Sequence, residues 1–190
     1  MTPLPWILWT PVPRADGKVD KLPVDHRSLR VANAHDPAIW TDRDTATAAA
    51  AVAGEGYYSG VVITSGHWFL DIDHCKLPDG GWSPIAIDLC RRFNGAYMEV
   101  SQSGEGIHII GRGTPPPHTT RNGALGLELY SGDRFCAATG TDARGDMERD
   151  FTDEITLVAA QYFPRAIEPA ATPIPDEGPC PEWSGPTDDD

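Results

Sequence analysis

Three short stretches place polar side chains inside apolar strand patterns, and they constrain the fold more than any other feature of the chain. They are residues 68–75 (WFLDIDHC), 100–110 (VSQSGEGIHII) and 126–131 (GLELYS). Side chains alternate between the two faces of a strand. If the three strands lie side by side in one sheet, one face is an apolar core and the opposite face carries three carboxylates and a histidine. These four residues are Asp71, Asp73, Glu128 and His108.

The carboxylates of this predicted face favour a metal site. Several carboxylates close together repel one another, which raises the pKa of at least one of them. A divalent cation removes that repulsion, and hard cations such as Mg2+ bind carboxylate and phosphate oxygens. Two such ions stabilise both the attacking and the leaving oxygen of a phosphoryl transfer. The pair Asp71 and Asp73 therefore predicts metal ligation, with a solvated strand face as the alternative.

A glycine-rich turn at residues 103–106 (SGEG) joins two of the strand patterns. Glycine allows a ligand to approach the backbone closely, and successive backbone N–H groups in such a turn can bind an anion. Ser101 and Ser103 add hydroxyl donors, and His108 adds an imidazole just beyond the turn. Donors of this kind beside metal ligands predict a nucleoside triphosphate site. An ordinary hairpin turn followed by a satisfied histidine is the alternative.

The order of these motifs resembles the archaeo-eukaryotic primase (AEP) superfamily, and more closely the bifunctional primase-polymerase (prim-pol) domain of phage and plasmid replication proteins. The similarity rests on DID at 71–73, SQSGEGIH at 101–108, LELYSGDRF at 127–135 and ATG at 138–140. It extends over residues 5–164. Two features depart from the family pattern: the third acid, often Asp in the family, is Glu128 here, and few lysines stand near the motifs.

The resemblance implies a role for each motif residue. Asp71, Asp73 and Glu128 would be the catalytic residues and the ligands of Mg2+ or Mn2+. Of the nucleotide-binding residues, the resemblance implies Ser103, His108 and Arg134. The glycine-rich turn adds Ser101, Gly104 and Gly106, and Tyr130 is added because it lies on the strand face of Glu128. The nucleic-acid-binding residues would be Lys21, Arg112 and Arg121. A solvated loop is the alternative for Lys21 and Arg121, and a half-buried aromatic is the alternative for Tyr130.

The fold class predicted from the patterns is α+β, with a mixed, mainly antiparallel sheet that carries the site on one face and helices on the other. The resemblance implies an AEP-type core with an RRM-like catalytic half and a small N-terminal α/β half. Helices are predicted over residues 42–53, 84–93 and 153–163, and residues 14–30 are predicted to be polar and turn-rich. Gly132-Asp133 predicts a two-residue hairpin between the last two strands.

Composition divides the chain into two regions. Residues 1–164 are predicted to form the primase-polymerase catalytic domain. Residues 165–190, rich in Pro and acidic residues, are predicted to be a linker or disordered tail that leads to a missing downstream module such as a helicase. Of the net charge of −13, −6 belongs to this tail. An acidic chain does not wrap nucleic acid, so we expect weak intrinsic DNA affinity through one local basic groove.

Further features bear on the cellular compartment. The chain has no apolar run long enough to span a bilayer, and its N-terminus lacks the basic region of a signal peptide. The cysteines, none in a C-x-x-C pair, are typical of reduced thiols. They are Cys75, Cys90, Cys136 and Cys180. We therefore expect no membrane partner and a cytoplasmic location in a bacterial host, in the replication of a phage or mobile element.

The expected function is template-directed nucleotidyl transfer by two-metal catalysis, as a DNA primase and DNA polymerase in phage or plasmid replication. The expected partners are nucleoside triphosphates and a single-stranded DNA template with its primer. Two alternatives remain open. One is a replication module that binds nucleotide or DNA without polymerising. The other is a metal-dependent nuclease or phosphohydrolase, because carboxylate pairs serve hydrolysis equally well.

Overall fold

A computed structural model describes residues 3–165, which form an α+β fold with two antiparallel sheets and three α-helices. The strands are β1 (Trp6–Pro13), β2 (Val19–Val24), β3 (Tyr58–Ile63), β4 (His67–Ile72), β5 (Tyr97–Val100), β6 (Ile107–Arg112), β7 (Arg121–Asn122), β8 (Leu127–Tyr130) and β9 (Arg134–Ala137). The helices are α1 (Arg43–Ala53), α2 (Pro84–Arg92) and α3 (Thr152–Tyr162), with a short 3-10 helix at Pro37–Ile39. The predicted fold class is confirmed.

The strands form two sheets instead of the single mixed sheet that was predicted. The first sheet has the order β2-β1-β3-β9, and the second has the order β5-β6-β4-β8-β7. All pairings between these strands are antiparallel. In the second sheet β4 lies between β6 and β8, so the three strands with polar interruptions are neighbours, as predicted.

The predicted hairpin between β8 and β9 is wrong. Strand β9 leaves the second sheet and pairs with β3 in the first, where Val61 lies opposite Cys136. Both edges of β8 are already occupied, one by β4 and the other by β7. Gly132 and Asp133 adopt φ angles of 130° and 47°. In this case the positive φ values allow the chain to cross from one sheet to the other, and they do not close a two-residue hairpin.

The polar segment 14–30 contains a strand that was not predicted. Strand β2 forms a hairpin with β1, with Lys21 opposite Pro11. The first three residues of β2 are exposed and the strand contains Pro23. Because β2 is an edge strand of the first sheet, it tolerates both features. An exposed edge strand lacks the alternation of apolar residues that would reveal it in the sequence.

The predicted helix starts at α1 and α2 are confirmed in detail. The carboxylate of Asp42 accepts the N–H of Thr45 at 2.8 Å and caps α1. The hydroxyl of Ser83 accepts the N–H of Ala86 at 3.4 Å, with Pro84 in the first turn of α2. Both are N-cap interactions that satisfy backbone donors left free by helix geometry.

Two apolar layers position the second sheet. One face packs on α2 and α3, so the predicted helix layer is confirmed. Its members include Trp68, Leu70, Ile72, Leu89, Phe93, Ile155, Val158 and Phe163. The other face packs toward the first sheet and α1 through Phe69, Tyr97 and Ile110, which meet Leu8, Val61, Ile63 and Ala46. Asp71 and His108 on this second face therefore lie in a cleft beside the first sheet.

The remaining expectations concern termini, thiols and membranes. Cys75, Cys90 and Cys136 are free thiols, and Cys180 lies outside the described residues. The predicted tail also lies outside them, apart from Arg165. Among the helices of residues 3–165, none combines the length and apolar character needed to cross a bilayer.

Candidate active site

One row of polar side chains crosses the second sheet from edge to edge. Each member lies opposite the next in the register of the antiparallel pairing, so all five project from the same face. In strand order they are Glu99 on β5, His108 on β6, Asp71 on β4, Glu128 on β8 and Arg121 on β7. We call these five residues the polar row. Three of its members, Asp71, His108 and Glu128, were predicted to share this face.

Asp71 occupies the centre of the polar row and is the least compensated of its carboxylates. Its Oδ1 atom is buried and has no hydrogen-bond partner, while His108 Nε2 lies 3.8 Å away. Burial raises the pKa of Asp71 to about 6; the charge of His108 opposes this rise, and those of Asp73 and Glu128 reinforce it. A buried oxygen without a donor is energetically costly. A bound cation would relieve both the missing contact and the repulsion.

Asp73 lies just beyond β4, which ends at Ile72. Its backbone N–H donates to Gly126 O at 2.8 Å, and its side chain is exposed. Gly126 has a φ of 63°, and a Cβ there would lie 3.0 Å from Asp73 O. The glycine thus permits the close approach of the segment before β8. Asp73 shares the neighbourhood of Asp71, but it is held by a turn and not by the strand.

Glu128 is fully engaged on both oxygens. Its Oε1 accepts from Arg121 Nε at 3.0 Å, and its Oε2 accepts from the hydroxyl of Tyr130. The guanidinium of Arg134 lies 4.5 Å from the centre of the Tyr130 ring. Arg121, predicted as a nucleic-acid contact, therefore pairs with a predicted metal ligand. Tyr130 lies on the face of Glu128, as its position in the strand predicts.

Glu99 is a buried carboxylate that was not singled out from the sequence. Its side chain is buried, and its Oε1 lies 2.9 Å from His108 Nδ1. Its Oε2 accepts from the Tyr97 hydroxyl at 2.7 Å and from the N–H groups of Thr139 and Gly140 at 3.0 and 2.9 Å. Burial alone would raise the pKa of Glu99, but the hydrogen bonds from these four groups outweigh it, so the pKa is lowered.

The consequence of this network is a fixed imidazole. Glu99 holds Nδ1 of His108, which leaves Nε2 directed toward Asp71. The hydrogen bond made by one ring nitrogen of a histidine determines whether the other nitrogen donates or accepts. The sequence signal for Glu99 is a single acidic residue inside the apolar strand 96–101, two strands away from Asp71. The pairing of β5 with β6 is needed to place it opposite His108.

A cleft of about 340 Å³ opens at the centre of the polar row, where Asp71 and His108 line it. The other charged lining residues are Asp20, Lys21 and Arg134, and its apolar walls include Phe69 and Phe135. We call it the charged cleft. Lys21 reaches it from β2 and Arg134 from β9, so the first sheet supplies two cations, together with Asp20, to the cleft beside Asp71 of the second sheet. Residues predicted for three different functions thus line one cleft.

The glycine-rich turn lies at the end of β4 but uses its own amides internally. The N–H groups of Gly104, Glu105 and Gly106 donate to Ser101 O, Ser103 Oγ and Ser101 Oγ, at 2.9, 3.2 and 3.0 Å. A Cβ on Gly106 would lie 2.9 Å from Ile72 O, so the turn can pack against β4 only with glycine there. Ser101, Ser103 and Gly104 line a neighbouring pocket of about 460 Å³ instead of the charged cleft.

Arg112 lies outside the charged cleft. It is the last residue of β6, four positions beyond His108, and it pairs with His67 at the opposite end of β4. Its guanidinium donates to Asp150 at 3.0 Å. Of the three predicted nucleic-acid contacts, Lys21 lines the charged cleft, Arg121 ends the polar row, and Arg112 lies away from both.

Some of the carboxylates in and beside the polar row are suited to bind a hard dication such as Mg2+. Within residues 3–165, no three His, Cys, Asp or Glu side chains are already gathered as a metal site. The unpartnered Oδ1 of Asp71, the exposed carboxylate of Asp73 and the raised pKa of Asp71 are suited to oxygen ligation of a cation. Glu128 would join such a site by exchanging Arg121 or Tyr130 for the metal.

Comparison with known proteins gives one distant relative. No protein-family model matches the chain. The chain is similar to a protein named DNA primase-polymerase from Nitratiruptor phage NrS-1, with 27% identity over 179 residues. The match covers 89% of this chain and 23% of the relative, so the chain spans less than a quarter of the relative's length. The similarity supports a relationship to primase-polymerases.

Proposed function

We propose that this chain is a nucleotidyltransferase of DNA replication that acts as a DNA primase and DNA polymerase. The observation that carries the proposal is the polar row, with the uncompensated Asp71 at its centre beneath a cleft that also presents Lys21 and Arg134. Carboxylates beside cations in one cleft suit metal-bound phosphates. The similarity of most of the chain to a phage protein named DNA primase-polymerase adds independent support.

In this proposal residues of the charged cleft and of the polar row beside it each have a chemical task. Asp71 and Asp73 would bind Mg2+ or Mn2+, and Glu128 would complete the site. When bound, the metal would activate a 3′-hydroxyl and neutralise the leaving pyrophosphate. Lys21, His108 and Arg134 would stabilise negative charge on the phosphate oxygens, which is the main source of catalysis in phosphoryl transfer. Glu99 would keep the His108 ring in position.

An AEP-type core is part of the proposal. The order β5-β6-β4-β8, with α2 connecting β4 to β5, supports an RRM-like catalytic half. Helix α3 follows β8 in the chain, whereas the second helix of an RRM precedes the last strand. The first sheet and α1 would form the smaller half. Because β9 enters that sheet from late in the chain, the two halves interleave.

A second candidate function is a replication module that binds nucleotide or DNA without polymerising. The observation that favours it is the engagement of Glu128 by Arg121 and Tyr130, which leaves the third carboxylate unavailable until one partner moves. The net charge of −13 also fits a protein with little hold on a template. The acidic residues at positions 71, 73 and 128 oppose it.

The proposed partners are nucleoside triphosphates and a primed or unprimed single-stranded DNA template. The relative is more than four times as long as the matched region, and a helicase module in the parent protein is a further proposed partner. The proposed setting is replication of a phage or plasmid in a bacterial host. Each of these statements rests on the activity proposed for the charged cleft.

The test is a primer-extension and de novo synthesis assay on single-stranded DNA with Mg2+ or Mn2+ and with either deoxynucleotides or ribonucleotides. The double variant Asp71→Ala/Asp73→Ala should abolish synthesis. The control, Asp153→Ala/Glu154→Ala, removes two exposed acids from the first turn of α3 and should retain it. Retained synthesis in the first variant would refute the assigned metal ligands. Shortened strands would indicate a nuclease, and nucleotide binding without synthesis would favour the binding module.

A further inference from the structure

The pocket that contains the glycine-rich turn differs in chemistry from the charged cleft. It lies between α1, the start of β3, the turn after β5 and the segment after β9, and its volume is about 460 Å³. None of the described residues that line it is charged. They are Trp9, Thr47, Ala50, Tyr57, Tyr58, Ser59, Val100, Ser101, Gln102, Ser103, Gly104, Ala137, Ala138, Thr139 and Thr141. We call it the neutral pocket.

An aromatic ring is fixed at the wall of the neutral pocket. Tyr58 is 40% exposed, and its ring stacks on the buried Trp9 with 4.9 Å between centroids and 26° between planes. Trp9 is held in turn by its indole N–H, which donates to Ser59 O at 3.0 Å. A half-exposed aromatic ring that stacks on a buried one is a platform on which a planar ligand can stack.

Polar groups of both hydrogen-bonding senses lie around this platform. Thr47, Gln102 and Thr141 bring exposed hydroxyl and amide groups to the pocket. Hydroxyl and amide side chains both donate and accept. This combination suits a flat, uncharged group with donors and acceptors on its edge. It does not suit a triphosphate, because several negative charges would enter a site without a cation and the turn amides of residues 104–106 are already bonded internally.

The neutral pocket and the charged cleft are adjacent. Ala137 lines both, and Lys21 Nζ of the charged cleft lies 5.6 Å from the centre of the Trp9 ring of the neutral pocket. A ligand with a planar neutral part and an anionic part could therefore occupy both at once. A nucleotide has these two parts, joined by a sugar.

We propose that the neutral pocket binds the nucleoside part of a nucleotide, with the base stacked on Tyr58, while the phosphates lie in the charged cleft. The inference rests on the proposed function only for the phosphate half. The nucleoside half stands on the lining of the pocket. The nucleotide can come from two sources, a free nucleoside triphosphate or the end of a DNA strand, and both present the same base and sugar.

The experiment measures ligand binding in the absence of metal, by NMR titration, so it does not depend on synthesis. The probes are 2′-deoxyadenosine, dATP, inorganic tripolyphosphate and the oligonucleotide (dA)5. Tyr58→Leu should weaken binding of 2′-deoxyadenosine by about 5- to 150-fold, the range expected for loss of one stacked base. Binding of tripolyphosphate should not change. The control Trp82→Leu removes an aromatic ring that lies over Lys76 outside the neutral pocket and should leave both unchanged.

A second variant guards against a folding defect in Tyr58→Leu. Thr47→Leu adds apolar bulk at an exposed position of α1 that lines the neutral pocket and should also weaken 2′-deoxyadenosine binding. If binding of 2′-deoxyadenosine weakens together with that of dATP but not of (dA)5, the occupant is a free nucleotide; if it weakens together with that of (dA)5 but not of dATP, the occupant is a strand end. Either result supports the proposal. Unchanged binding of 2′-deoxyadenosine in both variants would overturn it, as would equal loss of tripolyphosphate. Failure of the synthesis assay with Tyr58-dependent nucleoside binding would reject only the proposed catalysis.

Discussion

At the scale of single residues, the three carboxylates in the polar row differ in how their charge is compensated. Glu99 accepts hydrogen bonds from four groups, and Glu128 accepts from Arg121 and Tyr130. Asp71 keeps one buried oxygen without a donor. Removing a compensated buried carboxylate and removing an uncompensated one should therefore change stability in opposite directions.

Glu99→Ala should strongly destabilise the protein. The change would leave the buried side chains of His108 and Tyr97, and the amides of Thr139 and Gly140, without their acceptor. We expect a loss of about 3–5 kcal/mol in the free energy of unfolding. The control is Glu105→Ala, which removes an exposed carboxylate paired with the exposed His74 and should cost at most about 1 kcal/mol. Urea denaturation measures both. Equal losses for the two variants would contradict a special role for Glu99.

Asp71→Asn should have the opposite effect in the metal-free protein. The pKa of Asp71 is raised to about 6 by burial, whereas in the unfolded chain it returns toward 3.8. Above pH 6 the buried charge therefore costs stability, and this cost disappears as the pH falls below 4, because Asp71 is then protonated in both states. At pH 8 the variant should gain up to about 3 kcal/mol, and the gain should fade toward pH 4.

The metal reverses this comparison and provides its control. In the proposed site Mn2+ would bind the ionised carboxylate of Asp71, so it should raise the melting temperature of the unmodified protein at pH 8 but not that of Asp71→Asn. The stabilisation by Mn2+ should decline as the pH falls through 6, because protons then compete for the ligand. An equal rise in melting temperature for both proteins would place the metal elsewhere.

At the scale of elements, the edge of β5 is covered by the segment that follows β9. Val100 N–H donates to Thr141 O, and Met98 and Arg144 exchange both of their backbone hydrogen bonds, at 2.8–2.9 Å. The same segment supplies the Thr139 and Gly140 amides that bind Glu99. It thus protects an edge strand from unwanted pairing and completes the support of His108.

Gly145 lies in this segment, close to the backbone just before β5. Its φ is 82°, and a Cβ would lie 1.9 Å from Ala96 O. Gly80 has a similar φ of 86°, but no atom lies within 4 Å of its Cβ position. Gly145→Ala should therefore cost about 3 kcal/mol or more, and Gly80→Ala about 1 kcal/mol, the cost of the backbone conformation alone. Thermal unfolding compares the two. Similar losses of stability in the two variants would show that the segment can shift away from a Cβ at position 145 at no cost in free energy.

Strands and helices were predicted correctly where the interactions that form them lie close together in the sequence. The alternation in β4, β6 and β8 lies within each strand, and the caps Asp42 and Ser83 act within one turn of their helices. The adjacency of the three strands followed from one shared polar face. These features gave the positions of Asp71, His108 and Glu128 in the sheet.

Elements were not predictable where their cause is distant in sequence. The partner of β9 is β3, more than seventy residues earlier, and Glu99 is stabilised by amides 40 and 41 residues later. Neither the pairing of β9 with β3 nor the hydrogen bonds to Glu99 can be read from a short stretch of sequence. The same holds for Lys21, whose place in the charged cleft depends on the pairing of an exposed edge strand with β1.

At the scale of the whole molecule, charge limits how a nucleic acid can bind. The chain carries 28 acidic and 15 basic side chains, so most of its surface repels a phosphate backbone. The charged cleft is a local exception, because Lys21 from β2 and Arg134 from β9 lie in it and Arg121 ends the polar row beside it. Binding of a strand should therefore involve few phosphates.

The salt dependence of single-stranded DNA binding measures that number. Contacts from Lys21, Arg121 and Arg134 to three phosphates predict a slope of log affinity against log salt of about −2, at about −0.7 per phosphate. Lys21→Ala should make the slope shallower by about 0.7. Lys76→Ala, which removes a lysine lying over Trp82 outside the charged cleft, should leave it unchanged. A steeper slope that both variants leave intact would mean that DNA follows another surface, because few-phosphate binding through the charged cleft cannot produce it.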